Sequence, residues 1–188
     1  MGIKQSWIAV KDRSQAELLE ALGFTEAEPV NDFVDAPYVV RQQADGWVIL
    51  AGHNRRFDVD RHLPKLTEGF VFACMIDEGV MVSFARAQQD GRPLWSVTHD
   101  PDVNLDGVTV EGTPPPELDD ILARLRAQAE AEGDDEVDFL FDAPQDLSAS
   151  ICGYRPGEQA EGGWTEVRRV DQASDKRPGL LARLFGRR

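Results

Sequence analysis

The chain has 188 residues, 41% of them apolar, and a formal net charge of −14 at pH 7. That length fits one domain with appendages, and that apolar share fills a core, which excludes a wholly disordered chain. No apolar run approaches the roughly 18 residues of a bilayer-spanning helix, and Lys11 and Asp12 cut short any N-terminal secretion signal, so a cytoplasmic protein is expected.

The elements follow in chain order. Residues 6–10 read as a first strand. Ser14 and Glu17 then form a capping box, Leu18, Leu19 and Leu22 recur at helical spacing, and Gly23 supplies the stop, so a helix is expected at 15–22. Residues 25–37, with Pro29, Asn31 and Pro37, read as a loop. Two β-type runs at 38–42 and 47–51 flank Asp45-Gly46, a strong hairpin signal because tight turns need positive φ. A short helix behind Asp58 is limited by Pro64.

Residues 70–76 are apolar on both alternating sets, so this strand is expected at the centre of the sheet, covered on both faces. Turns at Asp77-Glu78-Gly79 and Asp90-Gly91 make an antiparallel meander with the runs at 80–84 and 94–98, and Asp106-Gly107 adds a short strand at 108–110. Thr113 and Pro114–Pro116 open a helix whose stripe is Leu118, Ile121, Leu122, Leu125 and Ala129, ending before Gly133. Asp142 to Gln145 repeats the capping-box pattern ahead of a helix ending near Gly153.

The expected fold class is therefore α+β: an antiparallel β-meander sheet, centred on residues 70–98, covered by two to three helices, with residues 143–152 packed at an edge. Residues 1–154 read as one domain, 155–172 as a polar extension packed on it, and 173–188 as a linker with a flexible basic tail.

Charge is segregated. Residues 93–154 hold 15 acids against only Arg124 and Arg126, whereas residues 155–188 hold 5 acids and 8 bases. A field of that sign repels nucleic acid and attracts a basic protein partner. Glu130, Glu132, Asp134, Asp135, Glu136 and Asp138 are the candidate partner-binding acids. In the tail, Leu180, Leu181, Leu184 and Phe185 share one side of a short helix beside Arg183, a pattern that docks on protein or on a membrane surface.

Asp102, Asn104, Asp106 and Gly107 match the first half of a calcium loop. The twelfth position, where a bidentate glutamate belongs, is Thr113, and a strand precedes the loop, so an acidic β-turn is expected and no metal. Cys74 and Cys152 form no CxxC and are expected as buried thiols. His53, His62 and His99 accompany no recognisable nucleophile spacing. Gly162-Gly163 lacks the rest of a phosphate loop, and Arg55 and Arg56 read as a solvated loop; no cofactor is expected. The expected function is a non-enzymatic adaptor or inhibitor that offers an acidic surface to a basic protein. The alternatives are an enzyme with a histidine-containing pocket and a peripheral membrane scaffold that uses the tail.

Overall fold

A computed structural model of the chain describes residues 2–53, 57–104, 107–133, 137–157 and 163–173. Within these, nine strands form one sheet in the order β2-β9-β3-β4-β1-β5-β6-β7-β8, and every neighbouring pair is antiparallel. With helices on both faces, the α+β class and the meander β5–β8 are as expected. The centre is not. β1 (Lys4–Lys11) is the fifth strand of nine, with six consecutive buried residues, and the meander builds one flank. β1 starts two residues before the expected 6–10, and Gln5 and Ser6 are both buried.

Helix α1 (Gln15–Leu22) forms as its caps dictate. Ser14 Oγ accepts from the Glu17 amide at 3.3 Å, and Glu17 accepts from the Ser14 amide at 2.8 Å. Gly23 closes the helix in the left-handed region, at φ 76°. The chain then enters β2 (Phe24–Val30), where a loop was expected. Pro29 misled the sequence reading. β2 is an edge strand, its register shifts between Glu26 and Pro29, and a bulged edge is where a strand tolerates proline. A 3-10 turn at Phe33–Asp35, capped by Asp32, leads to the hairpin of β3 (Tyr38–Gln42) and β4 (Trp47–His53). Helix α2 (Val59–His62) is capped by Asp58 and runs into a 3-10 turn at Leu63–Lys65.

β5 (Phe70–Asp77), β6 (Val82–Gln89), β7 (Arg92–His99) and β8 (Thr109–Gly112) follow as hairpins. Asp90 and Gly91 both have positive φ, as the tightest hairpin turn requires. Helix α3 (Glu117–Glu132) starts later than Thr113 implied and has no side-chain cap. The carbonyls of Pro115 and Pro116 accept from the Leu118 and Asp119 amides. Three prolines supply carbonyls but no amides in need of partners, so no hydroxyl cap is required. Helix α4 (Ala143–Cys152) also lacks the expected capping box; the Asp142 carboxylate accepts from the Gln145 side chain and from Arg155 instead. β9 (Trp164–Arg169) inserts between β2 and β3, and α5 (Val170–Ala173) ends the described chain.

The sheet buries both faces. Ile8, Val10, Val40, Leu50 and Val71 pack with Leu18, Leu19 and Leu22 of α1 and Val59 of α2. On the other face Trp7, Ile49, Phe72, Cys74 and Trp95 pack with α3 and α4. Helix α4 does not sit at an edge; it lies across β5, β6 and β7, and α3 leans on it. Buried polar groups register α4 on the sheet. Trp7 Nε1 donates to Ser148 Oγ at 2.9 Å, Ser148 Oγ donates to the Tyr154 carbonyl at 2.8 Å, and Ser83 Oγ donates to the Phe141 carbonyl at 2.7 Å. Gln5 Nε2 donates to the Tyr154 hydroxyl.

Ser148→Ala strands the Trp7 indole N–H in an apolar interface and is expected to cost about 2 kcal/mol. Ser150→Ala, which removes only a local bond to the Leu147 carbonyl, should cost under about 0.5 kcal/mol. Urea denaturation of the two variants checks this.

Candidate functional site

Two sets of acids stand apart among the described residues of 93–154. The inner set is consumed by the fold. Asp146, whose side chain is 6% exposed, accepts from both Arg124 of α3 and Arg155 beyond α4. Arg155 also reaches Asp142 at 2.9 Å. Asp138 caps the 3-10 turn Phe139–Asp142 through the Leu140 amide, and its other oxygen lies 2.8 Å from His99 Nε2. Of the candidate partner-binding acids, Asp138 is thus held by the fold, Glu130 and Glu132 are exposed at the end of α3, and Asp134, Asp135 and Glu136 lie outside the described residues. The tail residues Leu180, Leu181, Arg183, Leu184 and Phe185 lie outside them too.

The outer set sits on α3. Glu117, Asp119, Asp120, Glu130 and Glu132 are all exposed, and among the described residues none of the five is in an ion pair. Glu117, Asp119 and Asp120 occupy the first turn, where the helix dipole favours them. Glu130 and Glu132 occupy the last turn, where it does not, and no basic residue accompanies them there.

The histidines are held by the fold. His53 Nε2 donates to the Phe33 carbonyl at 2.7 Å. His99 is fully buried, with Nδ1 donating to the Met81 carbonyl at 3.1 Å. His62 stacks on Phe57, with ring centroids 4.9 Å apart, and neither ring nitrogen has a hydrogen-bond partner. Burial, then the nearby Lys65, Arg169 and Arg61, holds its pKa down at about 4. A groove lined by Lys11, Asp12, Arg13, Glu17, Phe70 and Gln89 also takes in Glu68 and Gly69, but none of the three histidines. Both cysteines are buried and unpaired; burial raises the Cys74 thiol well above its ordinary range and the Cys152 thiol to about 11, which keeps both protonated and unreactive.

Asp102 and Asn104 belong to a turn gathered by Asp100, which accepts from the Asp102 amide through its side chain and from the Asn104 amide through its carbonyl. Asp106 lies outside the described residues, and within these no three His, Cys, Asp or Glu side chains cluster as metal ligands.

Arg41 was missed in the sequence. It is 5% exposed, and its Nε and Nη1 have no hydrogen-bond partner. Its guanidinium lies 4.5 Å from the Trp164 ring centroid and 5.6 Å from that of Tyr154. Those two rings are themselves 5.6 Å apart and meet nearly at right angles, so they form a corner around the cation. The signal was available, because Arg41 lies two residues from Val39 on β3 and so shares its buried face; its aromatic corner, built from distant residues, was not.

Comparison with protein-family models, with curated proteins and with solved structures finds no match to this chain. Among the described residues no helix is long and apolar enough to cross a membrane.

The inner and outer acids should respond differently to neutralisation. Asp146→Asn removes a buried carboxylate that bridges two partly exposed guanidiniums and is expected to cost about 2 kcal/mol, whereas Asp119→Asn should change stability by under about 0.5 kcal/mol; chemical denaturation of each variant measures it. His62 gives a pH signature. Its pKa is depressed in the fold from the ordinary 6.5 to about 4. Between those values the unfolded chain binds a proton that the fold refuses. Stability is therefore undiminished above pH 6.5 and falls on acidification by up to about 1.4 kcal/mol per pH unit. His62→Leu should remove that contribution. The gap in unfolding free energy between pH 7 and pH 4.5 should shrink by about 2 kcal/mol.

Proposed function

We propose that the chain is a non-catalytic binding protein, an adaptor or inhibitor, that presents the outer face of α3 to a basic protein partner. One observation carries this. Glu130 and Glu132 crowd the negative end of a helix dipole, without a basic neighbour in that turn, an arrangement that costs about 0.3–1 kcal/mol per charge at a helix end. Local rules broken without a compensating contact in the fold point to function. The inner acids support the reading from the other side. Arg124 and Arg155 are occupied by Asp146 and Asp142 and so leave the negative field of the outer face standing. Such a field steers a positively charged partner into encounter and disfavours partners of its own sign. A cytoplasmic setting belongs to the same proposal, and the two unpaired, buried thiols support it.

The test is affinity capture from a cell extract with the intact chain and with a Glu117→Gln/Asp119→Asn/Asp120→Asn/Glu130→Gln/Glu132→Gln variant. The wild type should retain a basic protein at low salt and release it as the Debye length shrinks below about 8 Å. The variant should retain at least about tenfold less, equivalent to about 1.4 kcal/mol of lost binding, while its unfolding free energy changes by no more than about 1 kcal/mol, because the three first-turn charges and the two last-turn charges act in opposite directions on the helix dipole. Equal recovery by the two proteins would refute the proposal.

A further inference from the structure

We propose, resting on the acidic-face function above, that the outer edge of β8 accepts an extended basic segment of the partner as an added strand.

The two edges of the sheet differ. On one edge, β2 is blunted by Pro29, which has no amide to donate, by a register shift between Glu26 and Pro29, and by Glu26 and Glu28. On the other edge, β8 reads Thr-Val-Glu-Gly and has no proline, lysine or bulge. All four of its residues are exposed. Its inner side pairs with β7 from Thr98↔Thr109 to Trp95↔Gly112. On its outer side, as on any edge strand, alternate amides and carbonyls are directed outward, and among the described residues no strand neighbours them there.

The surroundings decide what fits there. Residues 93–123 contain seven acids and no lysine or arginine. Of these, Asp102, Glu111, Glu117, Asp119 and Asp120 are exposed, and they lie on the turn before β8, on β8 itself and on the helix that follows it. An edge strand set in such a field favours a cationic segment over a neutral or acidic one. The side chains refine the match. Val110, 43% exposed, stands on the face of buried Val97, whereas Glu111 stands on the opposite face beside Ser96, whose hydroxyl donates to it at 3.1 Å. Side chains of an added strand alternate in the same way. The partner segment therefore alternates apolar residues, seated by Val110, with lysine or arginine, seated by Glu111. Main-chain bonds give affinity and the alternating positions give selectivity.

The experiment uses the full chain and two blocked peptides of roughly eight residues that alternate valine and lysine. One is unmodified; in the other, alternate amides are N-methylated along one edge, which keeps the charge and removes strand pairing. Titration should show binding of the first and a loss of at least about tenfold for the second, equivalent to one or two main-chain hydrogen bonds. Hydrogen exchange should show the outward amides of residues 109–112 fast in the chain alone and slowed by the unmodified peptide. Equal binding of the two peptides overturns strand addition and leaves the acidic-face function standing. So does failure of both peptides when charge-dependent capture from extract persists. Slow exchange of those outward amides before peptide is added means that this chain, its own basic tail or a second copy already covers the edge, and overturns the proposal. Loss of both capture and peptide binding refutes both.

Discussion

Trp7 lies fully buried at the middle of the central strand, and its indole N–H must find an acceptor there or forfeit its hydration. Ser148 supplies that acceptor from α4, and much of the second face follows from this one bond. The same hydroxyl donates to the Tyr154 carbonyl, which turns the chain back over the sheet just after α4 ends at Gly153. The Tyr154 ring then meets Trp7 edge-on, with centroids 5.3 Å apart, and its hydroxyl accepts from Gln5. Apolar packing alone would let α4 slide or rotate over the strands at small cost. A directional bond at the centre of the contact, repeated by Ser83 to the Phe141 carbonyl, selects one position. With α4 placed, α3 has a surface to lean on, and the outer carboxylates of α3 acquire their direction.

The same placement partitions the charge. Asp146 on α4 holds Arg124 of α3 and Arg155 beyond the helix, so the bridge that clamps the two helices together also consumes two cations. A buried bridge of this kind adds little net stability, but breaking it leaves an uncompensated charge. Its value here is geometric. It sets the spacing of α3 from α4 and engages two guanidiniums that would otherwise offset the carboxylates of the proposed docking face. Neutralisation inside and negative charge outside are therefore complementary uses of the same stretch of chain.

Much of this was legible locally. The capping box of Ser14 and Glu17, the Asp-Gly turns at 45–46 and 90–91, and the stripe of α3 carry their instructions within a few residues of where they act, so periodicity and turn chemistry sufficed. What was hidden depended on distant partners. Pro29 signals a loop unless its strand lies at an edge, and only the insertion of β9 makes β2 an edge. Asp142 resembles a helix cap until Arg155 competes for its carboxylate. Asp138 reads as one more acid in a solvated run, but His99 stands at the end of a strand that the sheet brings alongside. The candidate site was half visible for the same reason: composition showed how much negative charge there was, and tertiary pairing decided which of it remains outside.

The insertion of β9 has a further consequence for the sheet. Trp164 to Arg169 must be present before β2 can join the sheet, because β2 pairs only with β9 in the sheet order. The N-terminal flank is thus completed by a segment more than a hundred residues downstream, a long-range closure that forms slowly. The meander β5–β8, by contrast, consists of adjacent hairpins and needs nothing from afar. Until β9 arrives, β3 exposes an edge on one flank, and Arg41 on that strand lacks the Trp164 wall of its corner. A charged residue on a temporary edge discourages pairing with other chains, and its later cover by an aromatic face recovers part of the desolvation cost. β8 has no such transient to survive. It forms within the locally folded flank and is an edge of the sheet among the described residues, guarded by its brevity and by the carboxylates around it. Those same features would make the edge selective in the proposed strand addition, because the charge that repels a second acidic chain attracts a basic strand.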